Sequence, residues 1–231
     1  MDDDLDDADL RGEYRLRDGT HVRIRPIRPE DARTLQDGFR ALSPETRRRR
    51  FRSPKARLTP SEVRRLTECD GVRHLALGAV RIDADGWECE GLGVARYVGL
   101  PDHPEVAEAA ITVLDAAQGK GLGRLLSEHL IRAASARGVK TFRCLLLDES
   151  PGLRERIQRS YPEARLTRRG HMLGAEIPLP ALAPSPPGDP SERGDDGLDA
   201  HFWNLLRWVA RGSVRPRRPG GTRCPQVRLR R

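Results

Sequence analysis

The chain has 231 residues, 4% of them aromatic, with 22 glycines, 18 prolines and a formal net charge of +8; this fits one domain of ordinary size with tails and an aliphatic core of modest size. No apolar run approaches the roughly 20 residues needed to span a bilayer, and the Asp-rich N-terminus is neither a signal nor a transit peptide. Cys69, Cys89, Cys144 and Cys224 are widely spaced with no CxxC pair, which argues against a metal site or a disulfide framework. A cytoplasmic location is expected by default.

Residues 1–11 read as a disordered acidic leader, with six Asp among the first ten positions. Gly19-Thr20 marks a turn, and His21 to Pro26 alternates Val22 and Ile24 against Arg23 and Arg25, the pattern of a first strand. Pro29-Glu30-Asp31 opens a helix carrying Ala32, Leu35, Phe39 and Leu42. Ser43 is the expected N-cap of a second helix through Arg47 to Arg50 and Phe51. A third helical stretch follows Pro60-Ser61, with Val63 and Leu66 on one face. His74 to Ile82 and Leu92 to Val98 read as strands joined through Asp83-Ala84-Asp85-Gly86, and Ala107 to Leu114 as the next strand.

Gln118-Gly119-Lys120-Gly121-Leu122-Gly123 then separates that strand from an amphipathic helix running from Leu122 to about Arg137, with Gly138 as its C′ residue. A glycine-rich turn between a strand and a helix is a place to hold phosphate. Glycine lets main-chain N–H groups approach a ligand closely, and the open N–H groups and positive dipole end of the helix favour an anion. Val139 to Leu147 is a further strand, Gly152 to Ser160 a short helix, and Ala164 to Arg168 with Met172 to Leu179 a closing pair of strands. Residues 181–199 form a Pro/Gly-rich linker and residues 200–210 a short amphipathic helix with Trp203 and Trp208 beside it. Residues 211–231 are a disordered tail with eight Arg.

On these residues the stretch 12–180 resembles the GNAT superfamily of N-acetyltransferases. Gln118, Gly121 and Gly123 fit that family's acetyl-CoA signature. Leu42-Ser43-Pro44-Glu45-Thr46 with Arg50-Phe51, Leu66-Thr67 to Asp70-Gly71, and Ala107-Glu108 look like its protein-lysine acetyltransferase (Pat-like) branch. The resemblance implies an α/β fold with a mixed, mostly antiparallel sheet flanked by helices. It also implies acetyl-CoA as cosubstrate and no metal. Backbone groups of Gln118, Gly119, Lys120, Gly121, Leu122 and Gly123 would hold the pyrophosphate, and main-chain groups of Ile111 and Val113 would pair with the pantetheine arm. A backbone N–H near Val113 would face the oxyanion. Where the branch often has Asn after the next strand, Ser150 is the nearest match.

Glu108 is the expected general base. A lysine amine, with a pKa of about 10.4, must lose a proton to attack a thioester. Strand alternation puts Ala110 and Thr112 on the same face as Glu108, an expected partly apolar setting. Tyr161 lies near the place where other members keep a general acid, with packing as its alternative role. The acceptor is a protein lysine or a small-molecule amine, and the chain is expected to act as a monomer or homodimer. Two other readings stay open: a non-catalytic acyl-CoA-binding sensor or scaffold, which needs the loop but not Glu108, and non-specific nucleic-acid contact through the Arg-rich tail.

Overall fold

The structure is a computed structural model and describes residues 10–51, 55–147, 153–160, 162–170 and 172–179. In chain order these form β1 (Gly12–Arg15), β2 (His21–Pro26), α1 (Ala32–Ala41), α2 (Pro44–Phe51), α3 (Pro60–Thr67), β3 (His74–Ile82), β4 (Glu88–Leu100), β5 (His103–Val113), α4 (Leu122–Ala136), β6 (Thr141–Leu147), α5 (Leu153–Ser160), β7 (Arg165–Arg169) and β8 (Met172–Pro178). Short 3-10 turns at Pro29–Asp31 and Asp115–Ala117 lead into α1 and toward α4.

The helices start where side-chain oxygens can take the open N–H groups of a first turn. Ser43 Oγ accepts from the Thr46 N–H at 3.1 Å, so Ser43 is the N-cap of α2. Thr59 caps α3: its Oγ1 accepts from the Glu62 N–H at 3.3 Å, and the Glu62 carboxylate accepts from the Thr59 N–H at 2.9 Å.

All eight strands form one sheet in the order β1-β2-β3-β4-β5-β6-β8-β7. Every neighbouring pair is antiparallel except β5 and β6, which α4 connects as a parallel crossover. α4 packs on one face, burying Leu122, Leu125, Leu126, Leu130 and Ile131 against Ala107, Ile111 and Val113 of β5 and Ala95 and Tyr97 of β4. Each such leucine contributes roughly 1.5–3 kcal/mol through the apolar surface it removes from water. The opposite face carries α1 to α3, whose Phe39 and Val63 are buried.

Two expectations change. Gly12–Arg15 is an edge strand paired with β2, so His21–Pro26 is the second strand, not the first. Four residues with only Tyr14 buried are too short to show alternation in sequence. Leu10, assigned to the acidic leader, is 6% exposed and packs in the core, so the folded part begins no later than there. The expected linker, the 200–210 helix, the Arg-rich tail, residues 1–9, Ser150 and Tyr161 lie outside the described residues. Among the described residues no helix is long and apolar enough to cross a membrane.

Candidate functional site

The glycine loop forms a row of unpaired donors. Gly119 and Gly121 have φ of 79° and 96°, in the left-handed region that costs other residues about 1–2 kcal/mol. These two positions turn the chain so that the N–H groups of Gly119, Lys120, Gly121, Leu122 and Gly123 make no hydrogen bond among the described residues. Gly121 is the N-cap of α4 and supplies no side-chain oxygen, so the first turn of a 15-residue helix stays open to an anion. Gln118 does not join this row. Its N–H donates to Asp115 O at 3.3 Å within the 3-10 turn. Its side-chain Nε2 instead donates to Val113 O at 3.1 Å, which ties the loop to the end of β5.

The loop is braced from a region that the sequence did not connect to it. The Arg17 N–H donates to Lys120 O at 3.2 Å, and Lys120 Nζ pairs with Asp18 at 2.8 Å. Both partners belong to the turn between β1 and β2. From the other side, the Asp115 carboxylate accepts from the Ser43 N–H (2.9 Å), Ser43 Oγ (3.0 Å) and Thr46 Oγ1 (2.8 Å) at the start of α2.

Beside the loop the sheet opens. β5 and β6 pair only over Val106–Glu108 and Thr141–Arg143, while β5 runs on to Val113 and β6 to Leu147. The Leu114 N–H points to β4, where Leu92 O accepts it at 2.8 Å. Main-chain groups alternate sides along a strand, so those of Val113 and Ile111 point the other way, into the gap. Since Gln118 occupies the Val113 carbonyl, it is the Val113 N–H that remains to donate there.

Glu108 lies where the pairing ends. It is exposed, so Ala110 and Thr112, which share its strand face, do not shelter it as expected. Its carboxylate makes no hydrogen bond or ion pair among the described residues. Arg143, its register partner on β6, is held by Glu176 on β8 with N···O distances of 2.7 and 3.0 Å. Nearby Cys144 is pushed up to about 12, first by complete burial and then by the Glu108 charge. It therefore stays a thiol at neutral pH, which leaves it no part as a nucleophile.

On the same strand face, Ala110 and Thr112 join Phe39, Phe51, Leu58 and Arg96 around a pocket of about 100 Å³ between the sheet and α1–α3. Of the basic run, Arg47 lies over the Phe39 ring at 5.4 Å and donates to Leu42 O, while Arg50 lines the pocket and lies over Phe51 at 5.1 Å. His103 is exposed and lies 3.9 Å from Glu105. Asp115 and Arg96 are the members of this region that sequence reasoning missed. Asp115 gave no signal, whereas Arg96 gave one: it stands among apolar residues in an alternating strand.

An open mixed sheet flanked by helices, with one parallel pair parting beside a glycine-rich helix start, is the GNAT fold. Residues 45–150 match the model of the acetyltransferase (GNAT) family, and the chain belongs to that family. It is 34% identical over 125 residues to an acetyltransferase of Pseudomonas aeruginosa, covering 54% of this chain and 66% of that one. It is 31% identical over 144 residues to acetyltransferase Pat of Mycolicibacterium smegmatis, covering 62% of this chain but only 42% of that one. The crystal structure of the GNAT domain of S. lividans PAT superposes with a TM-score of 0.62 at 28% identity, over 74% of this chain and 98% of that domain.

Proposed function

We propose that the protein transfers an acetyl group from acetyl-CoA to an amine, with Glu108 as general base. The observation that carries this reading is the row of five unpaired N–H groups from Gly119 to Gly123 at the head of α4, beside the gap between β5 and β6. Such a row suits a diphosphate. The gap suits an extended pantetheine arm that adds to β5 through Ile111 and Val113, as an extended peptide adds to a sheet edge.

In this reading the arm brings the thioester toward Glu108. The acceptor nitrogen attacks the acetyl carbonyl, forming a C–N bond and a tetrahedral oxyanion to which the Val113 N–H donates. The C–S bond breaks, the electron pair leaves with the CoA thiolate, and solvent returns a proton to sulfur. The proton lost by the amine passes to Glu108, directly or through one water. At pH 7 roughly one amine in a few thousand with a pKa near 10.4 is neutral, so an unpaired carboxylate at this place serves the slow part of the reaction. Direct attack also accords with Cys144, which is held as a thiol. The likeness to Pat relatives favours a protein lysine as acceptor, with a small-molecule amine as the other source.

The test is incubation of the purified chain with radiolabelled acetyl-CoA, cell extract and a panel of amines, followed by mass spectrometry. Label in a lysine or amine, lost in Glu108→Gln, supports the proposal. Tight acetyl-CoA binding with no transfer to any acceptor would make the protein an acyl-CoA sensor or scaffold instead.

A further inference from the structure

The wall of the pocket under α1–α3 holds a charge that the fold leaves without an opposite. Arg96 on β4 is 5% exposed. Its Nη2 donates to Leu66 O at 2.8 Å, one of the carbonyls left open in the last turn of α3. Its Nη1 lies 3.3 Å from His74 Nε2. A guanidinium has donors only, so Nε2 accepts and His74 is neutral. Burial first, and then the Arg96 charge, hold His74 below the ordinary histidine range in agreement with this.

Both partners of Arg96 are uncharged, and they use two of its five N–H groups. No carboxylate pairs with it among the described residues, and its nearest charged neighbours include two more cations, Arg50 and Arg65. Burial first, and Arg50 second, lower the guanidinium to about 10. An ion buried without an opposite charge carries a penalty of several kcal/mol. Arg25, which lines the same pocket, is the internal contrast: Asp31 and Glu88 each bond it at 2.7 Å. At Arg25 two carboxylates surround the guanidinium. At Arg96 none does among the described residues.

The cavity that Arg96 lines has a volume of about 100 Å³ and is otherwise largely apolar. A single water needs about 10–15 Å³ of such space, so a carboxylate and part of the chain that carries it have room there. Arg96 stands opposite Ala110, and Glu108 opposite Val98, so Arg96 and Glu108 are diagonal neighbours on one face of β4 and β5. Such positions lie about 7–8 Å apart.

We infer that Arg96 determines acceptor specificity: it receives a carboxylate that the acceptor carries about one diagonal from its reacting amine, which is thereby presented to Glu108. The inference rests on the acyl-transfer reading and names the substrate class for it. The carboxylate belongs either to a free amino acid or to an acidic side chain beside a peptide lysine.

The test compares acceptors that differ only in that group: ε-aminocaproate against its amide, and a lysine peptide with flanking Glu against the same peptide with Gln. The wild type is expected to favour the carboxylate member of one pair about tenfold in kcat/KM, mainly through KM, and the pair that responds identifies the source. Arg96→Met should reduce the preference below about twofold with acetyl-CoA affinity unchanged by calorimetry. Arg96→Gln, which keeps a donor for Leu66 O, should do the same if the Met variant folds poorly. Equal rates within both pairs, or a preference that survives both variants, would overturn the inference. A binding arm needs no turnover: propionate, but not propionamide, should show NMR line broadening with the wild type and lose it with Arg96→Gln. If no amine is acetylated, the acyl-transfer reading fails by itself and this arm decides the role of Arg96, with equal broadening of the two probes counting against it.

Discussion

Asp115 and Ser43, 72 positions apart in sequence, are joined by two hydrogen bonds: the Ser43 N–H donates to Asp115 Oδ2 at 2.9 Å, and Ser43 Oγ to Oδ1 at 3.0 Å. The carboxylate that opens the turn before the glycine loop thus also holds the start of α2, and Thr46 Oγ1 completes the set at 2.8 Å. Thr46 is 4% exposed, so losing this acceptor strands a buried donor. Asp115→Ala is expected to cost about 1–3 kcal/mol, a fall of about 5 °C in Tm for a domain of this size. Because the clasp joins the loop to the helix whose Arg50 and Phe51 line the pocket, the KM for the acceptor should rise as well. Thermal melting and steady-state kinetics on the one variant check both.

Glu108→Gln keeps the side-chain size and removes the proposed base. Turnover should fall about 10²–10⁴-fold, the usual share of a positioned base, while the acetyl-CoA dissociation constant from calorimetry stays within about twofold. Unchanged turnover would take Glu108 out of the mechanism.

Glu176 gives a subtler test. Its Oε1 accepts from both Nε and Nη2 of Arg143, and Arg143 is the register partner of Glu108. Glu176→Gln should release the guanidinium toward Glu108, weaken that carboxylate as a base and lower kcat several-fold. The double variant Arg143→Ala, Glu176→Gln should recover most of the loss, since no cation is then left to pair with Glu108. A double-mutant cycle in kcat measures this coupling.

The two kinds of glycine in the loop predict opposite results for the fold. Gly121 sits at φ 96°, so Gly121→Ala strains the backbone by about 1–2 kcal/mol and should lower both Tm and CoA affinity. Gly123 is helical, and a Cβ there would meet only Val113 Cγ2 at 3.9 Å, an ordinary contact. Gly123→Ala should therefore leave Tm unchanged or slightly raised, yet weaken CoA binding, because on the proposed reading the added methyl would stand where main-chain N–H groups meet the diphosphate. Melting curves paired with CoA titrations separate the two effects.

His129 on α4 sets a pH dependence of stability. It is 2% exposed with Nε2 2.9 Å from the Tyr14 hydroxyl, and burial first, then Arg132, lowers its pKa to about 4. The unfolded value is about 6.5, so the folded pKa is depressed and the neutral form belongs to the folded state. The stabilising contribution is complete above pH about 6.5. It is lost as pH falls toward about 4, because the unfolded chain takes up the proton first, at no more than about 1.4 kcal/mol per pH unit. Urea midpoints between pH 4 and 7.5 should show a shallower slope for His129→Gln than for the wild type.

Much of the fold was legible because its signals are local. Alternation exposed β2, apolar runs exposed β3 and β5, Ser43 marked its helix start, and the glycines between an apolar strand and an amphipathic helix marked the turn whose N–H groups stay open. The family signature there named Gly121, whose φ of 96° depends on backbone freedom that only glycine has, and Gly123, which is helical. Other features had no local trace. That the Gln118 N–H turns inward, that Asp18 and Arg17 brace Lys120, that Asp115 receives α2, and that Glu176 draws Arg143 away from Glu108 all depend on residues brought together from distant parts of the chain. Sequence periodicity says which face a residue takes. Which partner waits on that face, and whether a buried charge such as Arg96 finds an opposite one, is decided by how β4, α3 and β3 meet in three dimensions.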